Sequence, residues 1–199
     1  MIRLLRAWGL ALVFLIPPVS AQVIEFENHG QKYQTLTKSG VTIIYTHLPM
    51  RLHEYAVVQV AVTNGSDAPY IVRPEDFNYI RSYNPIRAVD ATAVIQMLMQ
   101  KGSGSDVVKL ISVYEASVYG NTHYKATNGF EQRRQAALAF GGAKLKAAAT
   151  ASALALGITK LAAGESSDGA VFFASEGKPL IGGRLVVRTN TDVFEFNAE

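Results

Sequence analysis

The chain has 199 residues, no cysteine, and 19 Lys+Arg against 16 Asp+Glu, a length that suits one domain or one domain with a large insertion. Setting aside Arg3 and Arg6 of the N-terminal segment described next leaves 17 basic side chains against 16 acidic ones, too even a balance for the Lys/Arg field that nucleic-acid binding needs. Without cysteine, stability must come from burial alone, and lipid attachment at a cysteine is excluded.

Residues 1–21 have the layout of a cleavable secretory signal. Arg3 and Arg6 form a basic start, Ala7 to Ile16 an apolar run, and Pro17 and Pro18 a break before the small residues Val19 and Ala21. Cleavage is expected between Ala21 and Gln22, giving a periplasmic or secreted mature chain over 22–199. The apolar run falls short of the ~20 residues that span a bilayer, so no membrane span is expected after cleavage.

Strand patterns occupy the next stretch. Val23 to Phe26, Tyr33 to Thr37 and Val41 to Tyr45 are short β candidates, and Tyr55 to Thr63 is the clearest, with Ala56, Val58, Val60 and Val62 on one face. The Val residues are expected in the core, with Gln59 facing outward or toward a strand edge. Asn64-Gly65-Ser66-Asp67 reads as a turn, and Phe77 to Ile80 as a further strand.

From Asn84 to Leu161 the period changes to that of helices. Ala91, Val94, Ile95 and Leu98 follow the N-cap residue Asp90 and stop at Gly102; Val107, Leu110, Ile111, Tyr114 and Val118 repeat the spacing, with a strand as the alternative. A third helix is expected from Phe130 to Leu156, with a kink or close contact at Gly141-Gly142. Lys144 and Lys146 in its middle argue against a membrane span. Strands return at Ala170 to Phe173, Leu185 to Arg188 and Val193 to Phe196.

Strand, helix and strand again indicate one α+β domain, an antiparallel β-sandwich interrupted by a helical insertion of about three helices over 84–161. A short linker in place of the insertion is expected to leave the β structure standing. The runs YAVVQVAVTNGSDAPYIVRPEDF, LAAGESSDGAVFF and RLVVRTNTDVFEF resemble the immunoglobulin-like, telokin-like domains of bacterial exported proteins. That resemblance covers the β parts only, and implies an immunoglobulin-like sandwich and a non-catalytic extracellular module.

Sites of chemistry are sparse. HLPMRLHE brings His47, Met50, His53 and Glu54 close in sequence, and imidazole with thioether is a weak candidate copper set. Gly102-Ser103-Gly104-Ser105 lacks the nucleophile-elbow pattern and reads as a helix linker. Glu165 and Asp168 read as a polar turn ahead of a strand. No catalytic residue and no cofactor is expected. Tyr119, Tyr124, Phe130, Arg133 and Arg134 gather around the connection between the second and third helices, and Tyr and Arg are enriched at interfaces. These five are the candidate contacts to a protein partner in the envelope. The expected function is a non-enzymatic interaction or structural module, with a small periplasmic hydrolase or copper-handling protein as the alternative.

Overall fold

A computed structural model describes residues 22–119 and 129–198; the expected leader and Tyr124 lie outside them. Strands β1 (Ile24–Asn28), β2 (Gln31–Lys38), β3 (Val41–Leu52) and β4 (Tyr55–Asn64) form an antiparallel meander. Its three turns place His29, Gly30, Ser39, Gly40 and His53 at positive φ, the backbone that tight hairpins need. β4 continues into β9 (Ser166–Ala174), paired from Tyr55↔Ala174 to Thr63↔Ser166.

The remaining strands are β5 (Tyr70–Val72), β6 (Phe77–Arg81), β7 (Asn84–Val89), β8 (Thr159–Leu161), β10 (Gly183–Arg188) and β11 (Val193–Glu195). Nine strands join in one sheet, ordered β1-β2-β3-β4-β9-β7-β6-β10-β11, while β5 and β8 pair separately. The large sheet curls into a half-barrel. Its midpoint is narrow, because β7 meets β9 only at Ala88↔Phe173 and Val89↔Phe172. Its two ends approach each other: Lys38 Nζ donates to the Val193 carbonyl at 2.6 Å and Asn197 N to Gln34 Oε1 at 3.0 Å.

Among the described residues four helices interrupt the strands: α1 (Ala91–Lys101), α2 (Gly104–Tyr119), α3 (Phe130–Leu138) and α4 (Ala143–Leu154). Asp90 Oδ1 accepts from Thr92 N at 2.7 Å and caps α1 as its residue type predicts. The expected third helix is two, divided at residues 139–142, where Gly142 has φ +78°. Helix also starts later than Asn84. Pro85 lacks the N–H that a helix interior requires, so Asn84–Val89 pairs with β6 as β7, and helix waits for the first good cap. At the other end, Thr159–Leu161 is strand β8 and not insertion helix.

Two cores result. Val58, Val60, Val62, Phe77, Tyr79, Phe173, Leu185 and Phe194 fill the inside of the curl. Leu52, Val57 and Phe172 on the outer face pack against Leu98, Leu110, Tyr114 and Leu154 of the helices. β4 and β9 are therefore covered on both faces. This corrects the reading of Gln59: it lies on the face opposite Val58 and Val60 but is only 5 % exposed, because the helical layer lies on the face to which it points. Its Oε1 has no hydrogen-bond partner among the described residues.

The two faces of β4 should answer differently to substitution. Val60→Ala is expected to destabilise by about 1–3 kcal/mol through lost burial and an unfilled cavity. Gln59→Met removes an unpaired buried oxygen and is expected to stabilise by about 1 kcal/mol. Urea denaturation of both variants checks the pair, and a loss at residue 59 equal to that at residue 60 would contradict the assignment.

Candidate functional site

A β-bulge shapes an apolar cleft on the sheet. The β3–β4 register shifts between His47 and Arg51, so Ile43 and Tyr45 point into the curl whereas Leu48, Met50 and Leu52 join the helix-side core. Bulges re-aim side chains in this way. The segment then forms one wall of a cleft of about 400 Å³, lined by His47 to Arg51, Ala56 and Val57, with Pro179, Leu180 and Ile181 opposite. An apolar cleft holding few polar groups is the usual form of a small-molecule site.

His47 is the polar group at its inner side. Its ring stands edge-on to Tyr45 at 5.5 Å and to Tyr79 at 5.7 Å. Burial lowers the His47 pKa from 6.5 to about 4, so the imidazole is neutral at pH 7 and competent as a metal ligand or hydrogen-bonding group. Arg51 stands at the rim, its Nη1 donating to the Gly177 carbonyl at 2.6 Å. Of the three weak metal candidates, His47 and Met50 thus share the cleft. His53 does not: its Nε2 lies 3.2 Å from Asp106 Oδ2. Among the described residues no group of three or more His, Asp or Glu converges as a metal would require.

Depression of the His47 pKa has a pH signature. Between pH 6.5 and about 4 the unfolded chain binds a proton at this residue that the folded chain refuses, so stability falls on acidification across that window. The expected loss is about 3 kcal/mol from pH 7 to pH 4. His47→Leu should flatten that part of a pH–stability curve measured by denaturant titration; an unchanged slope would assign the loss to other groups.

Asp106, Ser103 and His53 have the letters of a catalytic set but the geometry of a helix start. Ser103 Oγ donates to Asp106 Oδ2 at 2.7 Å and Ser103 N to the same oxygen at 2.9 Å, a capping arrangement at the first turn of α2. Burial pushes the Asp106 carboxyl up, yet hydrogen bonds from Ser103 and His53 outweigh it and hold the group below its ordinary value. The carboxylate that accepts the serine hydroxyl is held below its ordinary pKa by its part in the cap, which makes it a poor base for activating a nucleophile. His53 ties the β3–β4 hairpin to the helix, a role its sequence neighbours do not signal.

Of the other candidates, Tyr119, Phe130, Arg133 and Arg134 fall in the helical layer, and Tyr124 lies outside the described residues. Tyr119 closes α2 and Phe130 opens α3. Arg134 Nε pairs with Glu115 and its Nη1 lies 3.1 Å from Glu131 Oε1, while Arg133 Nε donates to the Ala153 carbonyl at 3.3 Å. Both arginines therefore bind α3 to its neighbours. Asp168 corrects a further reading. It lies inside β9, 3 % exposed, accepting a 2.6 Å hydrogen bond from the Tyr114 hydroxyl, whereas Glu165 alone serves the turn, taking Ala162 N at 2.7 Å. Nothing in the sequence marks Asp168 as buried, because the helix that covers it is more than fifty residues away.

Comparison of the chain with protein-family models, with curated proteins and with solved structures returns no match.

Proposed function

We propose that this chain is an exported, non-catalytic module whose curled sheet is a scaffold and whose helical layer is offered to a protein partner in the envelope. The observation behind it is a set of exposed apolar side chains at one end of that layer. Met99 in the last turn of α1, Val108 near the start of α2, Phe140 between α3 and α4, and Leu145 in the first turn of α4 are 47, 62, 46 and 39 % exposed. Gly102 lies against Ala147, so α1 ends where α4 begins, and two residues later α2 starts there too. Apolar surface concentrated in one region is characteristic of interaction sites.

Two further features support the reading. The narrow β7–β9 junction divides the sheet into halves of five and four strands, which suits descent from an immunoglobulin-like, telokin-like sandwich. Residues 1–21 supply the expectation of export, for which intact mass after native secretion, with Gln22 first, is the test. For the interface, a photo-crosslinking residue at Val108 or Phe140 should give a discrete adduct with one envelope protein. Equal labelling from Ile24, on the far edge of the sheet, would defeat the proposal.

The cleft favours a second reading, a copper-handling protein, because a neutral imidazole and a thioether are both among its lining residues. A rise in melting temperature with added copper, lost in His47→Ala, would support that alternative.

A further inference from the structure

The outer face of β6, β10 and the first part of β7 lies apart from the helix-side core, which β7 joins only at Val89, and has a different chemistry. Phe77 and Tyr79 point into the curl, so Asn78 and Ile80 point out. Arg87 stands directly across from Asn78, and Pro85 across from Ile80. Val186 flanks Asn78 on its other side, which sets Arg188 one diagonal step away. Asn78, Ile80, Pro85, Arg87 and Arg188, together with Glu75 and Tyr83, line a shallow concavity of about 500 Å³. Neither Arg87 nor Arg188 has a hydrogen-bond or ion-pair partner among the described residues.

Tyr83 is 98 % exposed at the tip of the β6–β7 hairpin. Ser82 and Tyr83 have φ of 46° and 70°, a two-residue turn in which Asn-Gly is the favoured pair. Folding alone therefore disfavours tyrosine here. What the residue supplies is a flat ring, held out on a short turn at one end of the concavity.

We propose that this face binds an acidic glycan, a carboxylate-bearing oligosaccharide, with the C–H face of one sugar ring on Tyr83 and a carboxylate between Arg87 and Arg188. An aromatic ring offers a large contact area for little lost conformational freedom, and the guanidinium fork matches a carboxylate in two parallel hydrogen bonds. Asn78 both donates and accepts, and Glu75 accepts, which suits sugar hydroxyls. Four residues of extended chain separate Tyr83 from Arg87, roughly 13 Å, longer than one sugar ring, so the ligand is an oligomer. The apolar part of this face is confined to Ile80 and Pro85 beside Tyr83, a smaller apolar centre than a protein partner would want.

Calorimetric titration of the full chain with tri-galacturonate, with its methyl ester and with inorganic phosphate tests the assignment. The acid is expected to bind and the ester to bind at least about tenfold more weakly, because esterification removes the charge-assisted hydrogen bonds. Tyr83→Gly suits the backbone of the turn, keeps the fold, and should weaken the acid to a similar degree. The double variant Arg87→Gln/Arg188→Gln should erase the preference for acid over ester. Failure of tri-galacturonate to bind at millimolar concentration, equal binding of the ester, full competition by phosphate, or variants that bind as the parent does would each overturn the proposal.

Discussion

Replacing residues 90–154 by a short Gly/Ser linker from Val89 to Ala155 is expected to leave no cooperatively folded protein. Closure itself is easy. Val89 pairs with Phe172 and Ala155 with Ala170, so the excursion leaves and re-enters within two residues of one strand, and a short loop costs little entropy. Burial decides the matter. The deletion uncovers Leu48, Met50, Leu52, Val57 and Phe172, all nearly inaccessible beneath the helices. At about 1.5–3 kcal/mol each, their exposure is on the order of the whole stability of a typical domain, about 5–15 kcal/mol. Asp168 also loses the Tyr114 hydroxyl that satisfies it. The pattern alone predicts β structure that survives the deletion; the second core reverses that expectation. Urea denaturation followed by circular dichroism decides it, and a sharp transition near the parent midpoint would show that the core inside the curl suffices.

Gly169→Ala should cost about 3 kcal/mol or more, at the upper end of overpacking penalties. A Cβ at this position would lie 2.5 Å from both the Cα and the N of Leu156. These are backbone atoms of the segment that hydrogen-bonds to β9 through Leu156 N and the Ala170 carbonyl at 2.9 Å, so no rotamer change can make room. The added methyl must push the returning chain off the sheet. Gly157→Ala is the control, since a Cβ there meets nothing within 4 Å, and it should change the melting temperature little. Similar losses at residues 157 and 169 would attribute the effect to glycine as such and not to the close approach.

Legibility in the sequence followed the range of the interactions. α1 could be located because its cap, its stripe and its stop all lie within a dozen residues, and the faces of β4 because alternation is local. Gly141-Gly142 marks the division between α3 and α4 in the sequence but equally suits a kink, since two glycines mark weakness without saying whether helix resumes on the same axis. β7 is not legible locally, because its partner β6 lies across a turn of Ser82 and Tyr83, residues that carry no hairpin signal. Burial of Gln59 and Asp168 was invisible for a different reason. Both lie on the sheet face that the helical layer covers, and which face a helix covers is decided by contacts dozens of residues apart. The cleft depends on a bulge, which local alternation does not announce, so His47 and Met50 could be singled out by residue type while His53 could not be separated from them.

The near-closure of the sheet sets an order of events during synthesis. Lys38 reaches Val193, Ser39 reaches Asp192 at 2.8 Å, and Asn197 reaches Glu25 at 2.9 Å, so the first strands to emerge are tied to the last. Pairings so distant along the chain slow folding, because the intervening loop must be closed before the contacts repay it. Until β9, β10 and β11 have emerged, the core that Val58, Val60 and Val62 share with Phe173, Leu185 and Phe194 is incomplete. A nascent chain of this kind stays unfolded for longer than a helical protein of equal length, because contacts between its strands span nearly the whole sequence.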